Sequence, residues 1–148
     1  MATDERWIFG HALTVENPQV GTFVRNTLYS KLTLMSGSPV QHNWLLAAVP
    51  APNVTEGWRI SAIMLRFTTI GNAGFLDKVG VRDGEQTVHG FENLNIGPQP
   101  NWTTLTWPLP SARPFKFGLG VAIHVSAVPT ALGPIEFRVV GVGLTFTR

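Results

Sequence analysis

The feature that most constrains this fold is a series of short runs in which apolar and polar residues alternate. In the clearest of them, over residues 117–128, Val121, Ile123 and Val125 share one face, and smaller or more polar side chains share the other. A period of two residues is that of a half-buried β-strand. No segment shows a sustained 3.6-residue period with helix caps. The sequence therefore predicts an all-β protein with no significant helix.

Gly, Pro, Asn and Asp separate these runs and divide the chain into about nine predicted strands. The predicted strands cover 6–16, 22–34, 42–49, 58–70, 75–82, 85–91, 102–109, 117–128 and 135–147. Many short strands joined by connections of varied length favour an antiparallel β-sandwich of the jelly-roll or Greek-key kind. An up-and-down barrel is the alternative. With no linker or internal repeat, residues 1–148 are predicted to form a single domain.

Two local features refine this prediction. Asp83-Gly84 between two apolar runs predicts a hairpin with a two-residue type I′ turn, because Asp-Gly readily adopts positive φ angles. Within 135–147 the apolar positions change parity, from Ile135 and Phe137 to Val142 and Leu144. A β-bulge at Gly141 or Gly143 would account for that change of face.

Charged residues make up 14% of the chain, against about 25% in an ordinary soluble domain. Two interpretations remain open: a surface of neutral polar groups, or a surface partly covered by other subunits, since interface cores are poor in charge. The last strand, 135–147, is expected to be an edge strand that offers unpaired backbone groups to a second copy. The net charge of +2 without a basic cluster argues against nucleic acid as a partner.

No motif of a known catalytic site occurs in the sequence, and the chain has no cysteine. The four histidines, His11, His42, His89 and His124, fall on four predicted strands without metal-ligand spacing. Whether two of them converge in space is left open. The sequence predicts no enzyme, no metal site and no cofactor.

The tryptophans carry the one binding hypothesis. Exposed aromatic rings stack on sugar rings, and Asn43-Trp44 and Asn101-Trp102 lie at or near Asn-rich or Pro-rich loops. Trp102 is the stronger of the two, because it follows a loop and opens a predicted strand. The alternative for each tryptophan is packing in the core or in an interface.

The sequence says little about location. The segment 1–6 is charged and is not followed by the apolar stretch of a secretory signal, so no cleaved signal is expected. No run of about 18 apolar residues is present, so no membrane span is expected. The compartment is left undetermined.

The opening segment Trp7-Ile8-Phe9-Gly10-His11, continuing to Val15-Glu16, resembles that of a group of small bacterial β-sandwich proteins which begin W-I-x-G-H-x-x-x-V-E. Asn43-Trp44 and Asp83-Gly84 match the same group. The resemblance implies a stand-alone β-sandwich and carries over no function or site residue. At Gly10-His11 a strand bulge with a hydrogen-bonded histidine is the preferred interpretation, and a ligand site is the alternative.

These observations leave two hypotheses of different classes. The first is a non-enzymatic structural protein that self-associates through its sheet faces or edges, into a homo-oligomer or with an assembly partner. The alternative is a carbohydrate-binding module or lectin-like domain that binds a glycan through Trp44, Asn43, Trp102 and Asn101.

Overall fold

The computed structural model describes residues 1–37, 39–71, 74–128 and 133–148, and in these residues it contains eleven strands and two short 3₁₀ turns. The strand count therefore exceeds the predicted nine. None of the helical segments in these ranges is long and apolar enough to cross a membrane. The strands are β1 Thr3–Phe9, β2 Thr14–Val15, β3 Thr22–Arg25, β4 Ser30–Met35, β5 His42–Val49, β6 Arg59–Ile70, β7 Gly74–Asp83, β8 Gln86–Phe91, β9 Thr103–Arg113, β10 Leu119–Ala127 and β11 Pro134–Thr147.

The strands form two antiparallel sheets that pack face to face, which confirms the predicted sandwich. The five-stranded sheet has the order β2-β5-β10-β7-β8. The six-stranded sheet has the order β3-β4-β11-β6-β9, with β1 also paired to β11. From β4 to β11, each strand crosses to the opposite sheet except at the β7–β8 hairpin. Such crossings are typical of Greek-key and jelly-roll sandwiches.

Strand β11 lies in the interior of its sheet, so it is not the edge strand that the self-association hypothesis invoked. One of its sides pairs with β6 along nearly its whole length. The other side pairs with β4 up to Val139 and with β1 from Gly141 onward. Beyond β1, the backbones of Ala2 and Arg148 exchange two hydrogen bonds of 3.1 and 3.0 Å.

The predicted β-bulge in β11 is confirmed. Its register against β6 shifts between Val139 and Gly141, which leaves Val140 as the extra residue. The shift lets both halves of the strand point large side chains inward. The buried residues are Ile135, Phe137 and Val139 before the bulge and Val142, Leu144 and Phe146 after it.

The first two predicted strands are each divided in the structure. The predicted strand 6–16 is interrupted by a 3₁₀ turn, Gly10–Ala12, which carries the chain from one sheet to the other. The bulge expected at Gly10 is therefore wrong. A Cβ atom on Gly10 would lie 1.7 Å from the carbonyl oxygen of Val139, so only glycine fits there. The predicted strand 22–34 is the hairpin of β3 and β4.

Two other boundaries differ from the prediction. Asp83 pairs with Gln86, so the turn residues are Gly84 and Glu85, one position later than expected. Gly84 has φ +59° and Glu85 is not among the residues with positive φ, which is the pattern of a type II′ turn. Strand β9 continues through Pro110 to Arg113, where a loop was predicted. The turn predicted over 129–134 lies mostly outside the described residues.

The core lies between the two sheets and is built from the inward positions of both. It includes Leu32, Leu45, Ile63, Phe67, Ile123 and Phe137, each at most 1% exposed. Burying a side chain of this size stabilises the fold by about 1.5–3 kcal/mol. Because inward positions take the large residues, the alternate positions determine what each outer face presents.

Candidate functional site

The outer face of the five-stranded sheet holds a groove that we call the Trp44 groove. It is lined by Trp44, Lys78, Gly80, Arg82 and Ala122 together with flanking residues. On β5, the residues next to Trp44 in the strand, Asn43 and Leu45, are buried, so the indole points outward. The alternation of β5 thus sets an aromatic ring on an accessible face.

One wall of the groove is a row of side chains across neighbouring strands. Trp44 of β5 is paired with His124 of β10, which is paired with Lys78 of β7. Glu16 extends the row at one end, where its backbone N–H donates to the Trp44 carbonyl at 3.0 Å. Glu92 extends it at the other end, with a carboxylate oxygen 3.9 Å from Lys78 Nζ. An aromatic ring is therefore flanked by hydrogen-bond donors and acceptors.

The residues that form the floor of the groove have small side chains or none, so the floor lies close to the backbone of the sheet. Ala122 is paired with Gly80 of β7, and Gly80 is paired with Gly90 of β8. Five strands about 4.8 Å apart span about 19 Å, so the groove has room for an extended ligand lying across the strands. It has two adjoining parts of about 350 and 580 Å³.

The opposite wall provides further polar groups. Arg82 lies next to Thr87 of β8 and lines both parts of the groove. Its guanidinium donates to the Glu85 carbonyl at 2.8 Å, a contact that holds the side chain over the β7–β8 turn. Like Lys78, it offers hydrogen-bond donors to a ligand in the groove.

Beside Trp44 on the same outer face, two histidines converge, which answers the question left open by the sequence. Nε2 of His124 lies 3.2 Å from Nδ1 of His42. The ring centroids of Trp44 and His124 are 4.8 Å apart, and Asp77 Oδ2 lies 3.3 Å from Nδ1 of His124. His11 and His89 are not part of this cluster; they contact Phe9 and Phe91 respectively.

The surroundings of His124 favour its neutral form. Burial, with the neighbouring His42 ring, lowers the pKa of His124 below its ordinary value of 6.5, against an opposing effect of Asp77. A neutral imidazole can support the indole without adding charge to the groove. Within the described residues, no group of three or more His, Asp or Glu side chains is arranged to hold a metal ion.

Asn43, predicted as a binding residue, points to the interior and is 2% exposed. Its side-chain nitrogen donates to the carbonyls of Asn17 and Val20 at 2.7 and 2.9 Å, and its oxygen accepts from the backbone N–H groups of Asn17 and Trp44. These contacts tie the loop after β2 to β5. The side chain is therefore placed to support Trp44 from behind and does not line the groove.

Trp102, predicted as the partner of Trp44, lies on the other sheet. It is 42% exposed and its ring contacts Tyr29, with centroids 6.0 Å apart. Its neighbour Asn101 is also exposed. The structure thus places the two predicted tryptophans on opposite outer faces and does not bring them together.

The remaining tryptophans have packing roles. Trp7 covers the glycines at 141 and 143 of β11, and a Cβ on Gly143 would lie 2.8 Å from its ring. Trp107 packs against the core. Trp58 donates to Glu56 at 3.0 Å and lies under the Arg148 guanidinium.

Sequence reasoning missed the polar lining of the Trp44 groove. Glu16, Lys78, Arg82 and Glu92 come from three separate parts of the chain, and only strand order brings them together. The signal that could have located the groove is the set of small residues on neighbouring strands, Gly80, Gly120 and Ala122. They alternate along β7 and β10 with large buried residues, so they predict a shallow depression on the outer face of this sheet.

Comparison with known proteins gives a likeness at the level of structure. No protein-family model and no curated protein sequence matches the chain. Among solved structures, it is similar to a low-affinity xylan-binding module of family 86 from the xylanolytic gut symbiont Roseburia intestinalis. That match has a TM-score of 0.54 and 9% identity, and covers 97% of this chain and 96% of the other.

Carbohydrate-binding modules of family 29 are similar to the same degree. A mutant complexed with cellulohexaose matches with a TM-score of 0.54 and 11% identity over 97% of this chain and 91% of the other. A mutant complexed with mannohexaose matches with a TM-score of 0.54 and 13% identity over 98% and 93%. At such identities the likeness establishes the fold: this chain has the β-sandwich architecture of these carbohydrate-binding modules.

Proposed function

We propose that this protein is a non-catalytic carbohydrate-binding module that binds a glycan chain in the Trp44 groove. The observation that carries the proposal is the placement of one half-buried indole in a groove that crosses the strands of a sheet about 19 Å wide, between side chains that donate and accept hydrogen bonds. The similarity to modules described as binding xylan, cellulohexaose or mannohexaose supports the same class of ligand.

The chemistry of sugars fits this arrangement. A pyranose has an apolar C–H face that stacks on an aromatic ring, and hydroxyl groups around its rim that both donate and accept. Trp44 supplies the ring, Lys78 and Arg82 supply donors, and Glu16 and Glu92 supply acceptors. The small floor residues let the sugar approach the sheet closely.

The alternative that the chain is a self-associating structural protein has less support. Both sides of β11 are paired within the chain, so the edge that was to recruit a second copy is occupied.

Isothermal titration with xylohexaose, cellohexaose and mannohexaose tests the proposal. We expect at least one of the three to bind, and Trp44→Ala to weaken that binding at least tenfold, since loss of an aromatic stacking contact costs about 1.5 kcal/mol. Arg82→Gln should weaken it by a smaller factor. Trp58→Ala, a tryptophan at a distant turn, is the matched control and should leave binding unchanged.

Two results would overturn the proposal. One is the absence of binding to all three hexasaccharides and to a wider glycan array by the folded parent protein. The other is binding that Trp44→Ala and Arg82→Gln leave unchanged, which would place the sugar elsewhere.

A further inference from the structure

A second groove lies on the outer face of the six-stranded sheet, and the proposed glycan site does not use it. We call it the Trp102 groove; it is lined by Phe9, His11, Tyr29, Arg66, Trp102 and Arg138, with Leu28 at its rim. Its volume is about 700 Å³, within the range of small-molecule sites. The two grooves have no residue in common.

Aromatic rings form much of the lining. Phe9 and His11 are stacked, with centroids 5.8 Å apart and planes inclined by 9°. Tyr29 and Trp102 are 6.0 Å apart and tilted by 52°. Phe9 is 72% exposed and Trp102 42%. Exposed apolar surface that is contiguous and rimmed by polar residues often marks a binding site.

The charges around these rings are mostly positive. Arg138 lies over the Tyr29 ring, 5.4 Å from its centroid, and donates to Glu136 at 2.7 and 3.1 Å. Glu136 is also 3.6 Å from Lys31, so two cations share one carboxylate.

Arg66 adds a further positive charge. Its hydrogen bond in the described part of the chain is a long one of 3.3 Å to the Thr104 hydroxyl. No Asp or Glu is among the described residues that line the groove. The groove therefore combines stacking surfaces with an excess of guanidinium donors.

The backbone beneath the groove is fixed. It lies where the partner of β11 changes from β4 to β1 and where Val140 forms the bulge. The 3₁₀ turn that starts at Gly10 is held there by the Ser30 hydroxyl, which donates to the Gly10 carbonyl at 2.5 Å. Bulges are often found next to binding sites, and Arg138 and Val140, on the same outer face, both line the groove.

We propose that the Trp102 groove binds an acidic oligosaccharide, a chain that contains uronic acid residues. The carboxylate would accept hydrogen bonds from Arg66, whose planar fork of N–H groups matches a carboxylate. The sugar ring would stack on Trp102. A neutral glycan would leave the guanidinium without a charged partner, and a ligand without a flat apolar face would leave the aromatic rings exposed.

Titration with tetragalacturonate at low ionic strength, against the neutral cellotetraose, tests this proposal. We expect the acidic tetramer to bind at least tenfold more tightly than the neutral one, and its affinity to fall as salt is added. Arg66→Gln and Trp102→Ala should each weaken binding at least tenfold. Both side chains are exposed, so circular dichroism and thermal melting should show folded variants.

Trp44→Ala and Arg82→Gln are the controls and should leave binding of tetragalacturonate unchanged. Weakening by these variants in place of the other two would assign the acidic sugar to the Trp44 groove and overturn the proposal. So would equal affinity for the neutral tetramer, or no binding. A dimer that dissociates in Trp102→Ala would also overturn it, because the face would then serve a second copy. None of these results bears on neutral hexasaccharides in the Trp44 groove.

Discussion

At the scale of single residues, Asn43 shows how a residue next to a binding surface can act on it from inside. Its amide makes four hydrogen bonds, three of them to the loop that follows β2. A buried amide is stable only when such partners are present. The sequence hypothesis placed Asn43 and Trp44 in one binding site. Residues next to each other along a strand point to opposite faces, so only Trp44 lines the groove.

This placement predicts that Asn43→Ala lowers stability. Removing the side chain leaves the Asn17 and Val20 carbonyls without their partner, so we expect a loss of about 2–3 kcal/mol in the free energy of unfolding. Urea denaturation measures it. Asn101→Ala, at an exposed site, is the control and should change stability by less than about 0.5 kcal/mol. Equal losses for the two variants would contradict the buried role.

Gly10 is a second residue whose identity is dictated by its surroundings. In Gly10→Ala the new methyl group would meet the Val139 carbonyl at 1.7 Å, and backbone atoms cannot move aside as a flexible side chain can. We expect a loss of about 3 kcal/mol or more, measured by urea denaturation. Gly118→Ala has open space around the added methyl and should be nearly neutral. A tolerated alanine at position 10 would argue against the close approach of the 3₁₀ turn to β11.

His124 gives stability a dependence on pH. Its folded pKa lies below 6.5, mainly because it is buried, so the unfolded chain binds the proton more readily than the folded one. This contribution to stability is present above about pH 6.5 and is lost as the pH falls through the folded pKa. The charged or titratable groups that affect it are His42, Asp77 and Lys78.

We therefore expect the free energy of unfolding to decrease as the pH falls below about 6.5, and the decrease to be smaller in His124→Asn. Denaturation by urea at several pH values measures both. His11→Asn, at an exposed ring in the 3₁₀ turn Gly10–Ala12, is the control and should retain the parent profile. Identical profiles for the parent and His124→Asn would show that another group is responsible.

At the scale of elements, the bulge in β11 decides which side chains enter the core. Deleting Val140 would remove the extra residue, so the strand would alternate regularly and the large side chains of both halves would still point inward in register with β6. Inserting a residue after Val142 would instead turn Leu144 and Phe146 outward. These two side chains would lose about 3–6 kcal/mol of burial, a large part of the stability of a domain.

We expect an alanine inserted after Val142 to lower the free energy of unfolding by about 3–6 kcal/mol, measured by urea denaturation. The Val140 deletion is the control and should unfold cooperatively with a smaller loss, because it keeps the inward positions. An insertion variant as stable as the parent would mean that the strand forms a second bulge and keeps Leu144 and Phe146 inside.

The strands that the sequence predicted best are those with a buried face and clear boundaries, such as β5, β10 and β11. The bulge could be predicted as well, because a change of parity is a local signal. The division of the first strand could not, since it depends on where Gly10 meets β11. The predicted strand 102–109 stopped short of the end of β9 because Pro110 normally ends a strand. Pro108 and Pro110 are both tolerated within β9 because it is an edge strand.

The candidate site was predictable only in part, for the same reason. Trp44 and Trp102 were found because indole rings near loops are conspicuous in a sequence. Nothing in the sequence distinguishes Lys78, Arg82 and Arg66 from other surface residues. Their place in the grooves depends on cross-strand neighbours such as His124 and Thr87, which the order of residues along the chain does not reveal.

At the scale of the whole molecule, the low proportion of charged residues reflects the kinds of side chain on the two outer faces. One shows small residues and an indole, and the other shows exposed aromatic rings. Three of the edge strands have features that disfavour association between copies: β2 and β3 are very short, and β9 carries two prolines that cannot donate hydrogen bonds.

From these edges we expect a monomer at micromolar concentration in light scattering. Replacing Pro108 and Pro110 by threonine should restore donors along β9 and produce concentration-dependent association. Thr104→Ser, in the same strand, is the control and should behave as the parent. A parent protein that is already dimeric would contradict the expected protection of the edges and would revive the self-association hypothesis.

The pairing of Ala2 with Arg148 brings the two ends of the chain to the same corner of the sandwich. Tension applied at these two points would load the hydrogen bonds between β1 and β11 one after another, as a zip opens, instead of straining all of them together. Strand β1 would peel away at low force while most of the sandwich stayed intact. Phe9 would leave with it, so a pull on the chain would dismantle the Trp102 groove before it reached the Trp44 groove.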